Sequence, residues 1–281
     1  FNLVLQVGVY SSILFFACML CHGELARLKP IKTKLTLFYL IIALGGVIGS
    51  IFTSIVAEHI FTQYYEFPLG IALVYVFFAC SLWQENKQKN SQGNSQKYSQ
   101  KYSQKSNQGN LSNSLKKQNL YLSVASVVGL LAFSLYFTKL NSLYFKDDVF
   151  NSQNFYGTLT VKDFNEFDQP IRMLFDGATS HGTQYLSSAY RDVPSSYYRF
   201  DTGVSLALQQ FGDGKPKNVG IIGLGTGTLA AYGNEGDTYV FYELNPSVEL
   251  AAKDYFSYLS SSKADVSVRT GDARITLQNE L

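Results

Sequence analysis

Several membrane-spanning helices followed by an α/β domain under a small β lid is the fold class this sequence predicts. Three observations carry the prediction. Long apolar runs fill the chain up to residue 140, short alternating runs replace them from Asn154, and a glycine turn, "NVGIIGLGTGTLAAYG" (218–233), joins a buried strand to a helix.

The 281 residues are enough for two ordinary domains, and a mean hydropathy near zero averages two unlike halves. Aromatic residues make up 15% of the chain and charged residues 16%, and a net charge of +2 is too small for a nucleic-acid surface, so no nucleic-acid partner is expected. Cys18, Cys21 and Cys80 lie in or beside apolar runs without the spacing of a metal site, so they are expected to be small buried hydrophobes, and no metal is expected. The chain opens on Phe1, and the apolar run from there to Leu20 has no basic region before it. It does not resemble a signal peptide, and an upstream piece is expected.

The apolar runs place spans at about 1–20, 35–57, 67–83 and 120–140, the third of marginal length against the roughly 20 residues a crossing needs. Gly45, Gly46 and Gly49 suit close helix packing in lipid. The segment "CHGELARLKPIKTK" carries Arg27, Lys29, Lys32 and Lys34 against Glu24, which puts it on the cytoplasmic side, and "EHIFTQYYE" (58–66), without Lys or Arg, then faces outward. His22 and Glu24 are expected as a pair at the membrane edge. The Lys/Ser/Gln-rich tract 84–119 lacks the apolar residues to offset chain entropy and is expected to be a disordered, cytoplasmic loop. If 120–140 crosses once more, the rest of the chain lies outside; the alternative is that one span, the marginal third first, does not cross. Residues 1–146 are thus the multi-pass membrane region and 147–281 a separate domain.

Within that domain, "FYGTLTVKDF" and "PIRMLFDGAT" read as antiparallel strands of a β lid (154–186). From 196 onward a helix, a buried strand, the glycine turn, a short helix, "TYVFYEL", a helix from Pro246 and "VSVRTGD" give the β-α-β-α-β order that opens a doubly wound parallel sheet. The GxGxG spacing of Gly223, Gly225 and Gly227 departs from the GxGxxG of dinucleotide sites and lets backbone pass close to an adenosyl-sulfur ligand. Glu243, ending the second strand, is placed to accept from both ribose hydroxyls. Asp272, ending the third, is placed to accept from the adenine amino group, with a neighbouring N–H serving the ring.

The segments "MLFDGATSHGTQYL", "SSYYRFDTGVSLAL", "VGIIGLGTGTLAAYG", "VFYELNPSVELAAKDYFSYL" and "VRTGDAR" together resemble the polyamine aminopropyltransferase (spermidine synthase) fold. With the "CHGELARL" loop and the glycine-rich helix ending near "YEFPL", the closer resemblance is to the bacterial membrane-fused spermidine synthase-like family. The resemblance implies a Rossmann-like, class I methyltransferase-type domain, incomplete here, that binds decarboxylated S-adenosylmethionine as co-substrate. It assigns Gly223, Gly225, Gly227, Glu243, Asp272 and Ala273 to the adenosyl pocket, with Gln184 and Tyr198 from the lid side. It further implies aminopropyl transfer to a small amine, a cytoplasmic domain in conflict with the span count, and a catalytic Asp expected beyond Leu281. A homodimer through the β lid is a further expectation.

Departures accompany the resemblance. Thr226 stands where the family carries an Asp, removing a charged hydrogen bond worth roughly 1.5–3 kcal/mol. "DVPSSYYRFD" replaces the family's "DEFxYHE", and Gln184 lies further from Asp176 and Gly177 than the usual spacing. Loss of the Asp also fits a methyltransferase using intact S-adenosylmethionine, with room for its carboxylated tail. A third alternative is a transporter or a nucleoside-sensing protein without catalysis. His181 is expected to order its own loop.

Overall fold

The computed structural model describes residues 3–99, 108–211 and 214–280. It divides into two compact units, Phe1–Thr53 with Tyr65–Tyr144, and Ser54–Tyr64 with Phe145–Leu281.

The first unit is helical. Helices α1 (Leu3–Arg27), α2 (Leu35–Ile51), α4 (Glu66–Ser99) and α5 (Gln108–Tyr144) belong to it, and a π-helical turn (Phe52–Val56) followed by α3 (Ala57–Ile60) continues α2. Four stretches are long and apolar enough to cross a membrane: Val7–Arg27, Lys32–Ile60, Glu66–Gln84 and Leu120–Tyr144. The first lies later than expected because nothing breaks the helix before Pro30. The marginal third is lengthened by Glu66 and Gln84. The widened turn after α2 coincides with Thr53, whose hydroxyl donates to the Gly49 and Ser50 carbonyls and competes with the helical ladder.

Several expectations for this region are corrected. The described residues of the tract 84–119 form the end of α4 and the start of α5. Residues 100–107 of the expected loop lie outside the described residues. Cys18, Cys21 and Cys80 are exposed on their helices instead of buried. A thiol is apolar enough to face hydrocarbon. Glu24 bonds to Arg27 (2.7 Å) and Ser81 (2.7 Å), tying α1 to α4 and leaving His22 outside the pair.

Among the described residues a Cβ added at Gly45, Gly46 or Gly49 would meet no atom within 4 Å, so these glycines serve no close packing there. Gly129 does. Its added Cβ would stand 3.1 Å from the Tyr75 ring, where α4 and α5 pack antiparallel through Tyr75, Phe133 and Phe137. Gly129→Leu should therefore lower the melting temperature of the detergent-purified protein by several degrees, whereas Gly45→Ala should leave it unchanged or raise it.

The second unit contains two sheets. Strands β1 (Asp148–Asn154), β2 (Gly157–Glu166), β3 (Gln169–Asp176) and β4 (Thr179–Tyr185) form an antiparallel meander in that order. It starts six residues before the expected lid. "DVFNSQN" lacks alternation, and its strand character comes from pairing with β2. Strands β5 (Asn218–Ile222), β6 (Thr238–Glu243) and β7 (Asp265–Thr270) form a parallel sheet with β6 in the middle, which buries Tyr239 and Phe241 almost completely.

Helix α7 (Pro246–Tyr255) packs against both sheets, and the side chains of Leu159, Val161 and Leu174 meet Phe241, Val248, Ala251, Ala252 and Phe256 in one core. Asn245 caps α7 by accepting from the Ser247 N–H (3.0 Å), with Pro246 at the first helical position. At the other end of the parallel strands, Asp237 accepts from the N–H groups of Lys217 (2.8 Å) and Asn234 (2.9 Å) and lies 3.5 Å from the Lys217 ammonium. Burial works to raise the Asp237 carboxyl, but those N–H groups and the ammonium outweigh it and hold it below its ordinary value.

Candidate functional site at the strand ends

The turn after β5 passes through Gly223 (φ 91°), Gly225 (φ 57°) and Gly227 (φ 79°), conformations that L side chains rarely adopt. It then enters a short 3₁₀ helix, Thr228–Tyr232. The three glycines have different surroundings. A Cβ on Gly225 would lie 2.9 Å from the His181 carbonyl oxygen, and one on Gly227 would lie 2.9 Å from the Leu259 side chain, on α8 (Tyr258–Ser261). At Gly223 nothing stands within 4 Å. Two of the glycines thus let β4 and α8 close over the turn, and Gly223 alone adjoins open space.

Thr226 and Thr228 are buried and bonded to each other (2.7 Å). Gly182 of β4 makes room for them, because a Cβ there would stand 2.5 Å from the Thr226 hydroxyl. Thr226 is thus packed against β4. His181 is on that strand, with its side chain exposed, instead of ordering a loop.

Glu243, 8% exposed, ends β6. One carboxylate oxygen accepts from the Leu224 N–H (2.9 Å) and the other from the Asn245 N–H (2.8 Å), while its backbone carbonyl accepts from the Gly271 N–H (2.8 Å). The parallel register brings Gly223, Glu243 and Asp272 to neighbouring strand ends. Each Glu243 oxygen keeps a further lone pair for a hydroxyl donor.

Asp272 is exposed and caps α9 (Ala273–Glu280): its side chain accepts from the Ile275 N–H (3.1 Å). Ala273 is the first residue of that helix. This capping role leaves the other carboxylate oxygen of Asp272 at the strand end.

The lid-side residues are engaged elsewhere. Gln184 is buried, donates to the Arg191 carbonyl (3.0 Å) and the Ser257 hydroxyl (2.8 Å), and accepts from the Ser257 N–H (3.1 Å), clamping β4 to the corner between α7 and α8. Tyr198 is half-buried, packs against Tyr197 at 4.8 Å between ring centres, and accepts through its carbonyl from the Tyr232 hydroxyl. A shallow groove lined by Ala207, Leu208, Phe211 and Val219 follows the outer edge of β5 and includes none of the expected ligand residues.

Residue types alone did not point to Gly182, Ser195 or Tyr258. Ser195 bonds to Thr183, and the Tyr258 hydroxyl lies 3.1 Å from the carbonyls of Thr183 and Val193. Burial pushes the Tyr258 phenol up to about 12, so it stays a neutral donor at physiological pH. A glycine inside a strand pattern was the available signal for close backbone approach at Gly182.

Comparison with known protein families, with curated proteins and with solved structures finds no match.

Because Glu243 satisfies two buried N–H groups, Glu243→Ala should destabilise the ligand-free protein by about 1–3 kcal/mol for each donor left unpaired. Asp272→Ala should cost only about 1 kcal/mol, the usual value of a helix cap. Thermal or denaturant unfolding of the two variants measures the difference.

Proposed function

We propose that this chain is an integral membrane protein whose second unit has a Rossmann-like core under a β lid and binds an adenosyl-sulfur compound at the ends of β5, β6 and β7. The supporting observation is Glu243, a carboxylate fixed by two backbone N–H groups beside Gly223, where the backbone adjoins open space. A carboxylate held this way offers its remaining lone pairs to the two hydroxyls of a ribose without losing orientation.

The reaction we propose, following the resemblance to spermidine synthase-like proteins, is aminopropyl transfer from decarboxylated S-adenosylmethionine. A neutral amine attacks the carbon beside the sulfonium, the C–S bond breaks with its electron pair left on sulfur, and the new ammonium loses a proton to a base. Such a displacement depends chiefly on in-line positioning. In calorimetric titration, methylthioadenosine and decarboxylated S-adenosylmethionine should bind, and Glu243→Gln should weaken both. A folded protein that binds neither, nor S-adenosylmethionine, contradicts the reading.

A second reading, a nucleoside-sensing domain without catalysis, is favoured by one contact. Residues 54–64, the last part of the second candidate span and most of the link to the third, belong to the sheet unit, and the Gln63 amide donates to Asn151 and to Thr160 (3.4 Å). A loop that shares a compact unit with the sheets lies on their side of a bilayer. The basic segment from Arg27 to Lys34, one crossing earlier, lies on the other. By the positive-inside rule the sheets are then outside the cytoplasm, where an adenosyl donor is scarce. A cysteine replacing Phe155, with Cys18, Cys21 and Cys80 changed to Ser, should be modified in intact cells by a membrane-impermeant thiol reagent. Modification only after lysis would place the domain inside and favour the transferase.

A further inference from the structure

The link between α1 and α2 concentrates positive charge. Lys29, Lys32 and Lys34 are exposed, and among the described residues none of the three pairs with an acidic side chain. Arg27 differs. Glu24 accepts from its guanidinium at 2.7 and 3.1 Å, and the Ser81 hydroxyl, accepting from Arg27 and donating to Glu24 at 2.7 Å each, fixes that ion pair to α4. Leu28 (62% exposed) and Ile31 (76% exposed) are interleaved with the lysines, so the link is basic and apolar together.

Its depth follows from its length. One candidate span ends at Arg27 and the next begins at Lys32, and the Lys29 and Lys34 N–H groups turn back onto the carbonyls of Ala26 (3.4 Å) and Ile31 (3.0 Å). Four linking residues, going out and returning, rise at most about 7 Å. The polar layer on each side of the bilayer hydrocarbon is roughly 5–8 Å thick. The lysines are therefore held among headgroups. Trp83 marks the same level on α4: it is exposed, two residues beyond the Ser81 that bonds α1, and Trp collects at this depth.

We propose that the α1–α2 link is a binding site for the headgroups of anionic phospholipids. Lys29, Lys32 and Lys34 meet the lipid phosphates, and Leu28 and Ile31 bury beside the acyl chains. Three lysines without a protein counter-ion match a headgroup of net negative charge, whereas a zwitterionic headgroup brings its own cation. The site rests on the same crossing of a bilayer by these helices that the proposed function assumes.

The test uses the full chain in vesicles and reads Trp83, the only Trp in the sequence. At equal mole fraction, phosphatidylglycerol with brominated chains should quench Trp83 about twice as strongly as brominated phosphatidylcholine. Raising the salt from about 0.05 to about 0.5 M should remove most of that difference. The combined variant Lys29→Gln, Lys32→Gln, Lys34→Gln should bring the two lipids to equality. Lys139→Gln should keep the preference, because that end of α5, where Asn141 donates to Tyr65, lies at the opposite end of α4 from Trp83. If the combined variant does not fold, the single ones replace it, each expected to lower the preference. Equal quenching of the unmodified protein by the two lipids, or a preference that survives loss of the lysines, overturns the proposal and leaves the membrane reading intact. Quenching by neither lipid overturns both.

Discussion

The interaction on which the candidate site depends is the double acceptance by Glu243. Parallel strands β5 and β6 leave their ends as unpaired backbone groups, and the chain between them must turn sharply and return. One carboxylate ties the turn, through Leu224, to the exit of β6, through Asn245. Two buried N–H groups and one buried charge are satisfied together, which is why a charged residue stays in a nearly closed position. The Gly271 N–H on the Glu243 carbonyl extends the connection to β7.

The antiparallel sheet is a fixed wall of this site. Gly182 and the His181 carbonyl press onto Thr226 and Gly225, Gln184 bonds to the Ser257 corner, and Tyr258 reaches under β4. Each contact joins the meander to the turn or to α8, so moving β4 would leave several buried polar groups unpaired at once. The open approach is at Gly223, along the strand ends, and not beneath the meander.

Some of this was legible in the residues and some was not. Long apolar runs located the helices long and apolar enough to cross a membrane, and alternation located β2 and β3, because those periods follow directly from burial. β1 was missed, as its strand character comes from pairing. The glycines were found by spacing, but their reasons were not separable: Gly225 and Gly227 face protein, and only Gly223 faces space. A similar ambiguity separated Gly129, which packs on Tyr75, from Gly45, Gly46 and Gly49, which pack on nothing among the described residues. The N-cap signal in "GDAR" was present, yet a strand-end Asp reads equally as a ligand contact until α9 is seen to start at Ala273.

The central claim is that an adenosyl-sulfur ligand sits at Gly223 and Glu243, and photolabelling tests it most directly. An azido-adenine analogue of methylthioadenosine, irradiated with the purified full chain and mapped by mass spectrometry, should label the strand ends around Gly223, Leu244 and Asp272, with protection by unmodified methylthioadenosine. Labelling confined to the groove at Ala207–Phe211, or labelling that methylthioadenosine does not suppress, would contradict the account.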